Sequence, residues 1–194
     1  MTRTGIVNLT DPRLNKINDQ FPGGGTESPG LKPGQLGQIL EVSDNDVLYD
    51  STVGTLYGGR YQYVKFVPQG GDTTPAVGLV VYWLDRAAKT VTSIVTGYDI
   101  AGILVNVVTD NYHCLICIDG KVKIQMAAAV TKAAPAKGDL LIAVAAAVVD
   151  VLLDATGLSS VEVARVVGRI CDDGVIAADG ALVQAQLLLR GSNF

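Results

Sequence analysis

From residue 38 onward, the chain consists of short segments rich in β-branched and aromatic residues, separated by clusters of turn-forming residues. Segments of this kind are typical of β-strands, because branched and aromatic side chains pack well on a pleated surface. Glycine, asparagine and aspartate between them favour tight turns. The predicted strands are 39–42, 47–49, 61–67, 78–84, 90–96, 103–108, 112–118, 121–126, 140–144, 148–153, 161–170 and 181–189.

Alternation of side chains within two of these segments predicts which face of each strand is buried. In the segment 61–67, residues 61, 63 and 65 share one face, and residues 62, 64 and 66 share the other. In the segment 121–126, we expect residues 121, 123 and 125 to face solvent and residues 122, 124 and 126 to face the core. Antiparallel sheets commonly have one buried and one solvated face of this kind. Asp119-Gly120, between two apolar segments, predicts a β-hairpin turn.

Helices are expected to be few and short. Two alanine-rich stretches, 126–129 and 143–147, favour helix by propensity, but the second lacks the polar spacing of an amphipathic helix. Ser159, with Glu162 three residues later, predicts the start of a short helix near 159–165. The predicted fold class is therefore all-β: an antiparallel β-barrel or sandwich with an extended N-terminal arm and at most short helices.

The arm is predicted from residues 1–37, which differ from the rest of the chain. They contain four of the seven prolines and a Gly23-Gly24-Gly25 run, which suit neither a helix nor a central strand. We expect an extended arm whose scattered apolar residues pack on a partner, with a loose tail as the alternative. A β-rich domain follows over 38–194, either as one unit or as two subdomains of about 38–97 and 98–194.

Charge and hydropathy narrow the classes of function. The net charge is −4 and there is no basic stripe, so we expect no nucleic-acid partner. The longest apolar run, 140–153, is interrupted by Asp150 and is too short to cross a bilayer as a helix, so we expect no membrane partner. Because the N-terminal residues lack the apolar segment of a secretory signal, we expect a protein made and assembled in the cytoplasm.

The single histidine and the three cysteines are the candidates for nucleophilic or metal chemistry. Neighbouring strand residues point to opposite faces, so His113 and Cys114 are not expected to form a catalytic pair. Cys114 and Cys117 form a C-x-x-C pattern, but in a strand this spacing places the sulfurs on opposite faces. A structural zinc site also needs more ligands than these two cysteines supply. We predict that Cys114, Cys117 and Cys171 are reduced, buried and free of metal.

Other polar motifs also favour ordinary turns over ligand sites. Asp44-Asn45-Asp46 resembles the start of a calcium-binding loop, but the glycine and the distal glutamate of such a loop are missing. The glycine-rich stretch 34–38 is not followed by an amphipathic helix that would bind phosphate. We therefore predict no catalytic, cofactor-binding or metal-binding residue, and a protein that is not an enzyme.

Three segments of the C-terminal half share a family pattern: Ala134-Pro135-Ala136-Lys137-Gly138-Asp139-Leu140-Leu141, Val166-Val167-Gly168-Arg169-Ile170, and residues 180–188. They match an A-x-x-G-D-x-L turn that leads into a strand, a later v-x-G-x-a strand, and a closing v-x-V-x-L-L strand. In these features the chain resembles the small β-barrel decoration, or cement, proteins of tailed-bacteriophage capsids. The resemblance covers about residues 100–190, while 38–97 have no counterpart in it.

The resemblance implies a non-enzymatic virion protein that binds the major capsid protein on the capsid surface, often as an oligomer at symmetry axes. The family has no catalytic residues, and no cofactor is implied. The hydrophobic share of 48% independently predicts self-association, and we expect a closed homo-oligomer, with a trimer favoured. Two alternatives stay open: a tail, baseplate or fibre-associated β-module of a phage virion, and a small β-barrel ligand-binding protein or enzyme with a polar pocket near His113.

Overall fold

The computed structural model of the chain describes residues 36–37, 39–43, 48–50, 54–71, 74–94, 99–105, 113–128, 130–132, 134–144, 148–151, 164–172 and 181–189. Across these residues the fold is all-β, which confirms the predicted class. The strands are β1 (Ile39–Val42), β2 (Leu48–Asp50), β3 (Gly54–Leu56), β4 (Gly59–Phe66), β5 (Val80–Asp85), β6 (Thr90–Thr92), β7 (Ile100–Leu104), β8 (His113–Gln125), β9 (Leu140–Ala143), β10 (Val149–Val151), β11 (Val166–Ile170) and β12 (Leu182–Leu187).

Five of these strands close into a barrel in the order β4-β6-β5-β7-β8. The barrel closes because β8 pairs with β7 on one side and with β4 on the other. Its pairs are antiparallel except for β4 with β6, which is parallel. β1 extends the barrel by pairing with the first half of β4, and β2 and β3 form a separate two-stranded sheet. Of these strands, β3 had no counterpart in the sequence prediction.

The two faces of the barrel strands belong to two separate buried clusters. The barrel interior contains Val64, Phe66, Val81, Trp83, Val91, Ala101, Leu104, Cys114, Ile116 and Ile118. Tyr61 and Tyr63, on the opposite face of β4, belong to the second cluster, which joins the outside of the barrel to the strands that follow. The predicted alternation along β4 is therefore confirmed.

β8 is 13 residues long and belongs to both halves of the fold. Its first part pairs with β4 and β7, and residues 121–125 pair with β12. The predicted hairpin at Asp119-Gly120 is therefore wrong, because the strand continues through these two residues. Arg60 lies opposite Asp119 but Tyr61 lies opposite Cys117, so β8 contains a β-bulge with one extra residue, Ile118.

The bulge explains how one strand serves two sheets. One extra residue reverses the alternation of side chains. As a result, Leu115 and Cys117 before the bulge and Val122 and Ile124 after it all join the same buried cluster. Lys121 and Lys123 are exposed, as the sequence predicts.

The C-terminal sheet, as we call it, has the order β8-β12-β11-β9-β10, and all its pairs are antiparallel. Its last strand returns to the end of β8 through a parallel bridge between Met126 and Val149. The Ala127 N–H donates to the Val149 carbonyl at 2.8 Å. The sheet therefore curls back on itself over the second buried cluster.

Of the arm predicted for residues 1–37, the structure describes only Leu36 and Gly37. The Gly37 N–H donates to the Tyr63 carbonyl at 2.8 Å. Of the short helix predicted near 159–165, only Ala164 and Arg165 are described, and their backbone is helical. The division near residue 97 stays a prediction. The strands on either side of it, β6 and β7, both pair with β5.

Candidate functional site

His113 and Cys114 lie at the start of β8, with their side chains on opposite faces. His113 is partly exposed and lies opposite Lys65 in the ladder, whereas Cys114 is buried inside the barrel. Partial burial and the positive charge of Lys65 lower the pKa of His113. A nucleophile and its base must be within hydrogen-bonding reach, so this arrangement does not form a catalytic pair.

The C-x-x-C pattern is divided between the two buried clusters. Cys114 faces the barrel interior and Cys117 faces the second cluster, as the strand spacing predicts. Burial raises the pKa of both thiols, that of Cys117 to about 12. The Cys117 thiol donates a hydrogen bond to the Asp119 carbonyl at 3.3 Å. Both thiols are therefore protonated at neutral pH, a state in which cysteine is a weak nucleophile and a poor metal ligand.

Cys171, directly after β11, is only partly buried, so the expectation that all three cysteines are buried is wrong for this one. Partial burial and the negative charge of Asp172 raise its pKa, while the positive charges of Lys121 and Lys137 act in the opposite direction. These interactions place both lysines near the Cys171 sulfur, at the exposed side of the C-terminal sheet.

Among the described residues, no group of three or more His, Cys, Asp or Glu side chains could hold a metal ion. Asp44-Asn45-Asp46 lies outside these residues, as do three positions of the glycine-rich stretch 34–38. The part of the chain that the structure describes contains no helix long and apolar enough to cross a lipid bilayer.

The turn before β9 shows what the Gly-Asp pair of segment 134–141 does. Gly138 has a φ of +94° and its N–H donates to the Ile170 carbonyl at 2.9 Å, while the Ile170 N–H donates to the Asp139 carbonyl at 2.9 Å. The Asp139 carboxylate accepts hydrogen bonds from the Lys132 ammonium at 2.6 and 2.8 Å and from the Ala136 N–H at 2.8 Å. The turn therefore fixes the start of β9 against the end of β11.

The three segments with the family pattern lie next to one another in space. The first contains the turn before β9 and the first two residues of that strand, the second is β11, and the third contains β12. These strands are adjacent in the C-terminal sheet in the order β12-β11-β9. In this sheet, Arg169 of β11 lies opposite Gln186 of β12 on one side and Leu140 of β9 on the other.

The side of the C-terminal sheet that faces away from the buried cluster presents a row of polar residues. Lys121 lies opposite Gln186, which in turn lies opposite Arg169, so these three side chains follow one another across three strands. Lys123 lies opposite Gln184 in the next row on this side. Lys121, Lys123 and Arg169 are all exposed.

Two leucines of the last strand region are exposed on this same side. Leu182 and Leu188 are 43% and 41% exposed, and they are the large hydrophobic side chains that the described part of the chain leaves exposed. Leu182 shares a face of β12 with Gln184. Leu187 and Leu189 pack on the second cluster. Leu188 lies between them in the chain, so it points away from that cluster, to the same side of the sheet as Leu182. We call the surface of Lys121, Lys123, Arg169, Leu182 and Leu188 the C-terminal face.

The cations of the C-terminal face are not held in ion pairs by the acidic residues that the structure describes. The carboxylate of nearby Asp172 accepts a hydrogen bond from the Gln184 N–H at 3.2 Å. Sequence reasoning predicted that Lys121 and Lys123 face solvent, but it missed the face, because Arg169 joins it only through the register of β11 with β12.

Comparison with known proteins identifies no family for the chain: no family model matches it, and no curated protein matches its sequence. What the protein does must therefore be inferred from its own residues.

Proposed function

We propose that the protein is a structural component of a tailed-phage virion that binds the outside of the capsid and stabilises it, as a decoration or cement protein. The main support is that three segments with the pattern of that family, separated along the chain, form three adjacent strands of one sheet. The family pattern therefore occupies one continuous part of the fold. The Gly138–Ile170 and Asp139–Ile170 hydrogen bonds also give the A-x-x-G-D-x-L motif a structural role there.

The architecture is consistent with a structural protein that holds the subunits of an assembly together. The barrel and the C-terminal sheet share both the strand β8 and one buried cluster, which makes a stiff body. A protein that binds the assembled shell more tightly than its dissociated subunits stabilises the shell by mass action. Stiffness helps, because a preorganised surface loses little conformational entropy on binding.

The test is binding to capsids of the phage whose genome encodes the chain, prepared from a deletion mutant that lacks it. We expect saturable binding at a constant ratio to the major capsid protein, regular density on the capsid exterior by cryo-electron microscopy, and a higher disassembly temperature. An unrelated β-barrel protein at the same concentration is the control. Density confined to the tail or baseplate would favour a tail-associated module, and no binding to particles would reject both virion functions.

A further inference from the structure

We propose that the C-terminal face is the surface through which the protein binds a partner, and that the partner presents an acidic protein surface. The identity of the partner as the capsid shell rests on the proposed function, whereas its chemistry follows from the residues of the face alone. Three observations, on charge, apolar exposure and rigidity, carry this inference.

The charge of the face is opposite to that of the molecule. Lys121 and Lys123 on β8 and Arg169 on β11 are exposed on either side of β12. None of them forms an ion pair within the described residues, although the carboxylate of Asp172 is nearby, and the whole chain has a net charge of −4. Such a local concentration of positive charge steers and orients an acidic partner. Lys121 and Arg169 are separated only by Gln186, whose amide can both donate and accept hydrogen bonds.

The leucines favour a protein partner over a polyanion. Leu182 begins β12, Leu188 directly follows its last residue, and both are exposed on the same side as the cations. Exposed apolar side chains next to polar groups are typical of protein interfaces, where the apolar atoms are buried and the charges lie around them. Nucleic-acid affinity depends mainly on the number of phosphates neutralised, and three cations on an acidic chain would supply little of it.

The backbone of the face is held in place before any partner arrives. β12 pairs with β8 through five residues and with β11 through three, and Leu188 continues this pairing by donating its N–H to the Val167 carbonyl at 2.9 Å. A surface fixed by such ladders loses less conformational entropy on binding than a loop would.

The first test uses poly-L-glutamate as the acidic probe in a nuclear magnetic resonance titration of the full chain. We expect shifts of the backbone amides in 121–125, 166–170 and 182–188. The face variant K121Q/K123Q/R169Q should bind about tenfold more weakly, the combined effect of three exposed ion pairs. The matched control K65Q/R86Q/K89Q removes the same charge from the barrel and should bind like the unmodified chain. Melting of both variants checks that they fold.

The partner class is tested by repeating the titration with duplex DNA and with vesicles that contain anionic phospholipid. Tighter binding of either one through the same amides, equal binding of poly-L-glutamate by both variants, or shifts elsewhere would overturn the inference.

Capsid binding separates this inference from the proposed function. We expect the face variant and L182S/L188S to bind capsids more weakly than K65Q/R86Q/K89Q does. Capsid binding that neither face variant changes would reject the face as the docking surface. If the unmodified chain does not bind capsids at all, the proposed function fails, and the poly-L-glutamate result still decides the chemistry of the face.

Discussion

Two glycines have nearly the same backbone conformation but different surroundings. Gly120, which lies opposite Gly59 two residues after the extra residue of the β8 bulge, has a φ of +96°, and Gly138, in the turn before β9, has a φ of +94°. A Cβ atom at Gly120 would collide with the Gly58 carbonyl oxygen and the Gly59 Cα, whereas a Cβ atom at Gly138 would meet nothing within 4 Å. Substitutions at these two glycines therefore distinguish the effect of the positive φ, which both share, from the effect of close contact between strands, which only Gly120 has.

We predict that G120A lowers the free energy of unfolding more than G138A does. G138A should cost about 1–2 kcal/mol, the price of a left-handed conformation for an L-residue. G120A should cost a further 1–3 kcal/mol or so, because β4 and β8 must also move apart. Urea unfolding of both variants measures the difference. Equal losses would mean that the two strands separate at no cost at this point.

Asp139 gives the stability of the protein a defined dependence on pH. Burial opposes ionisation of its carboxyl group, but the hydrogen bonds from Lys132 and the Ala136 N–H and the charge of Lys132 outweigh it, so its pKa lies below the usual value. A carboxyl group with a lowered pKa in the folded state stabilises the fold above its unfolded-state pKa. That stabilisation is lost as the pH falls through the folded-state pKa.

We therefore predict that D139N is less stable than the unmodified chain at pH 7 by about 1–3 kcal/mol, the range for a hydrogen-bonded charged group. The difference should shrink as the pH falls below about 4, the usual pKa of an aspartate. Chemical denaturation at pH 7 and at pH 3 measures it. D99N, which removes an exposed ion pair with Arg86 at 3.2 Å, is the control and should change stability by less than about 1 kcal/mol. A constant difference across this range would rule out the ionised carboxylate as the source of stability.

At the scale of elements, the alternation of side chains along the sequence predicted which face of a strand is buried, but it did not predict which strands pair. The faces of β4 and of residues 121–126 were predictable, because alternate side chains always point to opposite sides of a strand. The parallel pairing of β4 with β6 and the closing ladder of β4 with β8 were not, because they join residues far apart in the sequence. Asp119-Gly120 was misread because a glycine with positive φ can also lie within a continuous strand, here just after a bulge. The candidate site depends on the pairings of β12 with β8 and with β11, which alternation does not predict either, so only its lysines on β8 could be anticipated.

The arm is the element that the sequence singles out and that can be removed in one piece. Deleting residues 1–35 keeps the hydrogen bond from Gly37 to Tyr63. We predict a nearly unchanged melting temperature and weaker capsid binding, because proline and glycine at this density suit a strap better than a core strand. Scanning calorimetry and capsid co-sedimentation on the same truncation measure both. A large fall in melting temperature would instead make the arm part of the fold, and full retention of binding would reject the strap.

At the scale of the molecule, most buried apolar side chains of the described residues belong to two clusters, and Leu182 and Leu188 are the large ones left exposed. Their exposure matters for assembly, because both leucines lie on the C-terminal face. Self-association and partner binding would compete for the face if both used it.

We predict a trimer in solution, which sedimentation velocity at micromolar concentrations measures. K121Q/K123Q/R169Q should remain a trimer, because we assign the C-terminal face to the partner and not to a second copy. Dissociation of this variant into monomers would assign the face to the subunit interface. A monomeric unmodified chain would contradict self-association in solution.

The shared strand has a mechanical consequence. If the C-terminal face is pulled along the axis of β8 while the barrel is held through β4, the seven residue pairs of β8 with β4 resist the displacement together. Their hydrogen bonds are loaded side by side in shear instead of opening one after another. A single-molecule pulling experiment should therefore record one rupture at high force, with no earlier release of either half. Such resistance would suit the proposed function, in which the protein stabilises an assembled capsid.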